Sequence, residues 1–259
     1  MKKLAIVASS WHYPLHFYET MANQALPEGW KADMFAVSHR DPKYAKPEVK
    51  KYLKGLGEVL REDLDRKLYE KVASKTDIKK LGWTYIEKPN TIGDWGNVNQ
   101  WLEDYDYKDY DVLLFTHDDN LIINPTTIYS VLVSEEPWDV ITNSVGMPPG
   151  SLRGSFEFFK KETLEKIGGK FDMSEVKLDR TGETKTPDGL NDLADWNATI
   201  YPLTRKIAEL GLKVSALSPC YRMSMFCIEG ERGFISKTHG LNTPYEEQGL
   251  KVLKDNNLI

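Results

Sequence analysis

The chain has 259 residues, enough for one large domain or two small ones with a substantial core. Its composition, 41% hydrophobic and 28% charged, is that of a soluble globular protein, and a formal net charge of −5 excludes a general nucleic-acid binder while permitting a local basic pocket. No apolar run approaches the roughly 20 residues that span a bilayer.

Leu4 to Ala8 reads as a buried strand. The basic Met1-Lys-Lys start resembles a signal peptide, but its apolar stretch is only about six residues, short of the usual 7–15. Ser9 to Pro14 follows as a polar and aromatic loop, then His16 to Ala25 as a helix stopped by Pro27 and Gly29. Ala32 to Val37 is a second strand, with Ser38-His-Arg-Asp-Pro42 as the loop at its end. From Pro47 to Leu81 the residues Val49, Leu53, Leu56, Leu60, Leu64, Leu68 and Val72 recur at helical steps, a packing stripe that Gly55 and Gly57 break into two helices. Trp83 to Glu87 is a third strand, Ile92 to Gly96 a turn-rich loop, and Asn97 to Glu103 a helix start.

The most informative stretch comes next. Val112 to Phe115 is an apolar strand that ends abruptly in His117, Asp118 and Asp119. Ligands of open α/β sheets gather at the C-terminal tips of strands. Two adjacent carboxylates there repel unless a cation or hydrogen-bond donors neutralise them, and hard oxygen ligands suit Mg²⁺ or Mn²⁺. The competing reading is a solvated turn, since Asp and Asn favour turns.

Pro125 to Val133 reads as a helix, Asp139 to Asn143 as a strand, and Gly146 to Gly154 as a loop bordering the pocket. Phe156 to Phe159 is a strand running into the helix Lys161 to Ile167, which Gly168-Gly169 terminates. Asp172 to Asn191 is a long polar loop, Leu193 to Leu210 a helix ended by Gly211, and Lys213 to Leu217 a late strand. From Glu229 the chain lacks periodicity until a last helix, Tyr245 to Asp255. Cys220 and Cys227 form neither a disulfide framework nor a metal cluster and fit a reducing, cytoplasmic setting, with peripheral membrane attachment left open. Alternating strands and helices predict one α/β domain, Rossmann-like, with a mostly parallel central sheet flanked by helices.

This order of features resembles the GT-A type glycosyltransferases, in particular their family-2-like group, which uses nucleoside-diphosphate sugars. The resemblance runs from Lys3 to Pro219 and rests on five places. These are the first strand and its loop, His39-Arg40-Asp41, Pro89-Asn90-Thr-Ile-Gly93 with Asn97 and Asn99, His117-Asp118-Asp119, and Gly154 to Phe159 with Glu162 to Phe171. It implies a nucleotide-sugar half over about residues 1–120 and an acceptor half over about 121–259. It also implies that Ala8, Ser9, Ser10, Arg40, Asp41, Asn90, Gly93, Asn97 and Asp118 surround the nucleotide. Asp119 would bind Mn²⁺ or Mg²⁺ directly, with Asp118 turned toward ribose or a metal-bound water. His117 either orients a carboxylate or caps the surface, and His239 is either a late metal ligand or structural; Lys237 and Arg232 are further candidates to cover the diphosphate. The general base would be Asp195 or Asp192, unless either caps the helix that follows. Arg153, Gly154 and Trp196 would face the acceptor, a saccharide, lipid or protein hydroxyl. Trp95 and Trp196 are the tryptophans placed to stack on a sugar. The chain departs from the family pattern in carrying His117 where an acid is usual and in separating Asp192 from Asp195. A non-catalytic nucleotide- or carbohydrate-binding protein of the same fold is the alternative. A sugar nucleotidyltransferase is disfavoured, because Ser9 to Pro14 holds no glycine, Lys or Arg. Oligomeric state is not legible.

Overall fold

A computed structural model describes residues 1–45, 70–89, 94–118, 120–122, 125–144, 152, 156–174, 196–218 and 234–236. Strands β1 (Lys2–Ser10), β2 (Trp30–Ser38), β3 (Trp83–Glu87), β4 (Val112–His117), β6 (Val140–Ser144), β7 (Phe156–Lys160) and β8 (Val214–Ser218) form one sheet in the order β3-β2-β1-β4-β7-β6-β8. Every neighbouring pair is parallel except the two that involve β7, which runs against β4 and β6. A separate antiparallel ribbon pairs β5 (Asn120–Ile122) with β9 (Phe234–Ser236). The helices are α1 (Leu15–Ala22), α2 (Lys75–Lys80), α3 (Asp94–Leu102), α4 (Thr127–Leu132), α5 (Lys161–Ile167) and α6 (Trp196–Glu209).

The central strands are buried on both faces, which is why they read as continuous apolar runs rather than alternating ones. Successive side chains point to opposite sides. Leu4, Ile6, Val112, Leu114, Phe156 and Phe158 therefore pack into one core with α1, while Ala5, Val7, Leu113, Phe115 and Phe159 pack into a second with α3, α5 and α6. Trp83 closes the first core edge-on to Tyr18, with ring centroids 5.2 Å apart. Helix α2 starts at a capping box, in which Ser74 and Asp77 each bond the other's backbone N–H. Helix α5 stops at Gly168 and Gly169, both with left-handed backbone at φ 99° and 74°.

The mostly parallel α/β sheet expected from the sequence is present. One helical expectation fails: Val72, the last member of the leucine stripe, is not helical but forms an isolated bridge with Pro14, and the helix begins only after the Ser74 cap. The rest of that stripe, and the expected helix Tyr245 to Asp255, lie outside the described residues.

Candidate functional site at the C-terminal strand edge

The parallel register aligns the ends of three strands. Ser10 of β1 stands beside Ser38 of β2, and Ser9 beside His117 of β4, so the chain leaves all three strands at one rim. Buried polar side chains gather there: Ser9, Ser10, Ser38, His39, Asn97 and Asp118. Buried polar groups carry a cost unless hydrogen-bonded, and each of these is tied to another rim group.

Asp118, 1% exposed, follows β4 directly. Its backbone N–H donates to the Ser9 carbonyl at 3.1 Å. Its Oδ2 accepts from the backbone N–H groups of Trp11, His12 and Tyr13 at 3.0, 3.0 and 2.7 Å and from the Tyr18 hydroxyl at 3.2 Å. The carboxylate thus faces the β1–α1 loop. Asn97, near the start of α3, donates to Ser9 Oγ. Ser10 Oγ accepts from the Tyr18 hydroxyl at 2.9 Å. Ala8 is fully buried in the first core, one residue below the rim.

On the β2 side, Gln100 donates its amide N–H to the Pro89 carbonyl at 2.9 Å. Its Oε1 is then the acceptor for His39 Nε2 at 2.7 Å, which places the imidazole proton on that nitrogen. Tyr13, Ser38 and Tyr85 form a hydroxyl cluster, with Ser38 Oγ 2.6 Å from each phenol oxygen. Burial, foremost, pushes the Tyr13, Tyr18 and Tyr85 phenols up from their usual range, so all three stay protonated donors at neutral pH. The Arg40 guanidinium lies 5.1 Å from the centre of the Trp11 ring, and its Nη2 donates to the Tyr44 carbonyl. Asp41 accepts from the Lys43 backbone N–H at 3.0 Å, the main cause of its lowered pKa. Ser38, Arg40, Asp41, Tyr85, Lys75 and Lys88 line a cavity of about 290 Å³ at this end of the rim. A larger cavity of about 660 Å³ lies among Asn99, Phe171, Pro202 and Arg205, but no strand residue lines it. Position at the strand tips, rather than volume, marks the smaller one as the candidate ligand site.

Trp95 is not a sugar platform. It is fully buried, with its ring centroid 4.7 Å from Phe115 and 4.8 Å from Phe171, so it belongs to the second core. His117 packs edge-on to Phe115 at 5.5 Å. Asn99 clamps the turn after α5: its Oδ1 accepts from the Phe171 N–H at 2.9 Å and its Nδ2 donates to the Phe171 carbonyl at 2.8 Å. Trp196 opens α6. Asn90, Gly93, Asp119, Arg153, Gly154, Asp192, Asp195, Arg232, Lys237 and His239 lie outside the described residues. Among the described residues no group of three or more His, Cys, Asp or Glu could hold a metal ion, and no helix is long and apolar enough to cross a membrane. Three participants were not anticipated from sequence. Tyr13 and Tyr18 are fully buried and anchor the first loop; the aromatic content of Trp11-His12-Tyr13 was the available signal. Glu157, also fully buried, accepts from Thr142 Oγ1 at 3.1 Å, hidden in sequence inside an apolar strand.

No protein-family model and no curated protein matches the chain. Among solved structures, it is similar to the catalytic domain of Drosophila β1,4-galactosyltransferase 7 in complex with xylobiose, at 11% identity and a TM-score of 0.43, over 83% of this chain and 65% of that one. A mutant of the same enzyme in complex with manganese, UDP-Gal and xylobiose aligns at 9% identity and a TM-score of 0.47, over 96% and 79%. Residues 1–349 of S. aureus TarS align at 14% identity and a TM-score of 0.44, over 85% and 59%. This chain therefore spans less than two thirds of the length of the first and third. All three scores are below 0.5, so the fold rests on the sheet itself. Six parallel strands interrupted by one reversed strand, flanked by helices, with an acidic tip on an interior strand, make a mostly parallel, Rossmann-like α/β fold.

Proposed function

We propose that the protein is a glycosyltransferase that moves a sugar from a nucleoside-diphosphate sugar to a hydroxyl acceptor with the help of Mn²⁺ or Mg²⁺. The observation that carries this reading is the convergence of Ser9, Ser10, Arg40, Asp41, Asn97 and Asp118 at one strand edge beside an open cavity. These residues come from four separate places in the sequence. Such a rim is where α/β sheets bind nucleotides. Asn90 and Gly93, which precede α3 in sequence, would join the nucleotide side.

Asp119 and His239 would hold the metal, which when bound neutralises charge on the leaving diphosphate. The ribbon supports their pairing. Ser236, three positions before His239 in sequence, stands opposite Asn120, the residue that follows Asp119. Arg232 and Lys237 flank the same ribbon in sequence. Asp195 or Asp192 would take the acceptor proton, with Arg153, Gly154 and Trp196 on the acceptor side of the later half. Calorimetry with UDP and GDP, with and without Mn²⁺, tests the reading: tighter binding with metal is expected, and no binding of either nucleotide refutes it.

A non-catalytic binding protein of the same fold is the second reading. One observation favours it: Asp118 spends its carboxylate on the β1–α1 loop, which leaves a reduced acidic set at the tip. Metal-dependent hydrolysis of a nucleotide sugar, present or absent, separates the two.

A further inference from the structure

Trp11, His12 and Tyr13 turn three successive backbone N–H groups toward one point, and Asp118 Oδ2 occupies it. His12 N–H also lies 3.2 Å from Oδ1. The turn is made possible by Tyr13, whose φ of 55° is the only left-handed value among the described non-glycine residues. Successive N–H groups in such a turn form a concave cradle for an anion, the device by which many proteins bind phosphate. Here the anion is supplied by the protein itself. A left-handed Tyr persists only where its surroundings over-determine it, and charge-assisted hydrogen bonds to Asp118 do so.

The same loop shapes the cavity wall. The Tyr13 hydroxyl reaches Ser38 Oγ and the Arg40 carbonyl, and Ser38 in turn bonds Tyr85. The Trp11 ring carries the Arg40 guanidinium. Ser38, Arg40 and Tyr85 all line the cavity at the ends of β2 and β3. An unbroken chain of hydrogen bonds thus runs from the β4 tip, through the loop, to the cavity wall.

We propose that Asp118 is a positioning residue for the nucleoside end of the donor: its carboxylate fixes the Trp11–Tyr13 turn and thereby the wall that receives the base. The ligand's identity rests on the nucleotide-sugar reading above, whereas the anchoring of the loop does not. The two acidic neighbours then divide the work, Asp118 serving the nucleoside without metal and Asp119 serving the diphosphate through it.

The test uses the full chain and the variants Asp118→Asn, Asp119→Asn and Tyr13→Phe. Uridine, guanosine, UDP and GDP are titrated in EDTA and in Mn²⁺, and amide exchange is followed at Trp11, His12 and Tyr13. Asp118→Asn is expected to weaken metal-free binding about tenfold, the share of one charge-assisted hydrogen bond, and to speed exchange at the three amides. Tyr13→Phe should weaken metal-free binding in the same direction, while Asp119→Asn should remove the gain from Mn²⁺. Asp118→Asn with wild-type metal-free affinity, or with a loss confined to the Mn²⁺ gain, overturns the proposal. Should Asp118→Asn not fold, wild-type metal-free affinity in Tyr13→Phe overturns it instead. If the wild type binds none of the four ligands, the nucleotide-sugar reading fails, and with it the ligand assigned to Asp118; unchanged amide exchange in Asp118→Asn would then overturn the anchor as well.

Discussion

Asn99→Ala isolates the clamp that holds the Gly168–Phe171 turn against α3. The wild-type side chain satisfies both backbone groups of Phe171, at 2.9 and 2.8 Å, and Phe171 is itself 2% exposed. Removing the amide leaves an N–H and a C=O beside a closed aromatic cluster of Trp95, Phe115 and Phe159. Each unsatisfied buried group costs about 1–3 kcal/mol, and solvent reaching the half-buried Asn99 site offsets part of that, so a loss of about 2–3 kcal/mol is expected. Asn99→Asp keeps the acceptor for Phe171 N–H but sets a carboxylate oxygen against the Phe171 carbonyl. It should be no better than alanine at neutral pH. Urea unfolding reads both variants, with the midpoint shifting and the slope unchanged. A loss below about 0.5 kcal/mol for Asn99→Ala would show that the clamp contributes nothing beyond a surface contact and would refute the reasoning.

Gly169→Ala places a methyl 3.0 Å from the Tyr107 ring in a left-handed residue, whereas at Gly168 the added carbon meets open space. Thermal melts should show Gly169→Ala as the more damaging of the two, by about 1 kcal/mol or more. Trp95→Ala should cost about 3–5 kcal/mol in chemical denaturation, because it empties the centre of the second core; a mild loss with a selective fall in sugar binding would return Trp95 to the site. The buried phenols set an alkaline limit. Their folded pKa values are raised, so the stability they confer is complete below the unfolded value of about 10 and falls as pH climbs beyond it. Phenolate absorbance for Tyr13 and Tyr18 should appear only with unfolding, and reversible ionisation in the folded protein would contradict this.

Strands β1, β4 and β7 were legible because each is buried on both faces and therefore stands out as an apolar run of strand length. The α5 helix was legible to the residue, since Gly168-Gly169 marks its end chemically. The reversal of β7 was not, because strand direction depends on which distant partner a segment meets, and Phe156 to Phe159 pairs equally well either way in composition. The short β5–β9 ribbon was missed for a related reason: each strand has three residues, too few for any periodicity. The place of Asp118 at the tip of β4 was legible, but the direction of its carboxylate was not. That direction follows from three N–H groups more than a hundred residues away, which only the parallel register of β1 and β4 brings alongside. Trp95 was misread because a tryptophan beside a turn-rich loop looks the same whether it faces a ligand or a core.

The reversed β7 has a consequence for how this chain can diversify. Ser144 ends β6 in register with Ser218 at the end of β8, and Phe156 begins β7 opposite Thr116, next to the acidic tip. Both attachment points of the connection between β6 and β7 therefore lie on the rim that carries Asp118. A parallel strand in that place would require a crossover of a dozen or more residues to regain the opposite edge. With both attachment points on one rim, the connection can change in length and composition without re-threading the sheet, so this part of the chain is free to vary while the strands and their rim are inherited intact.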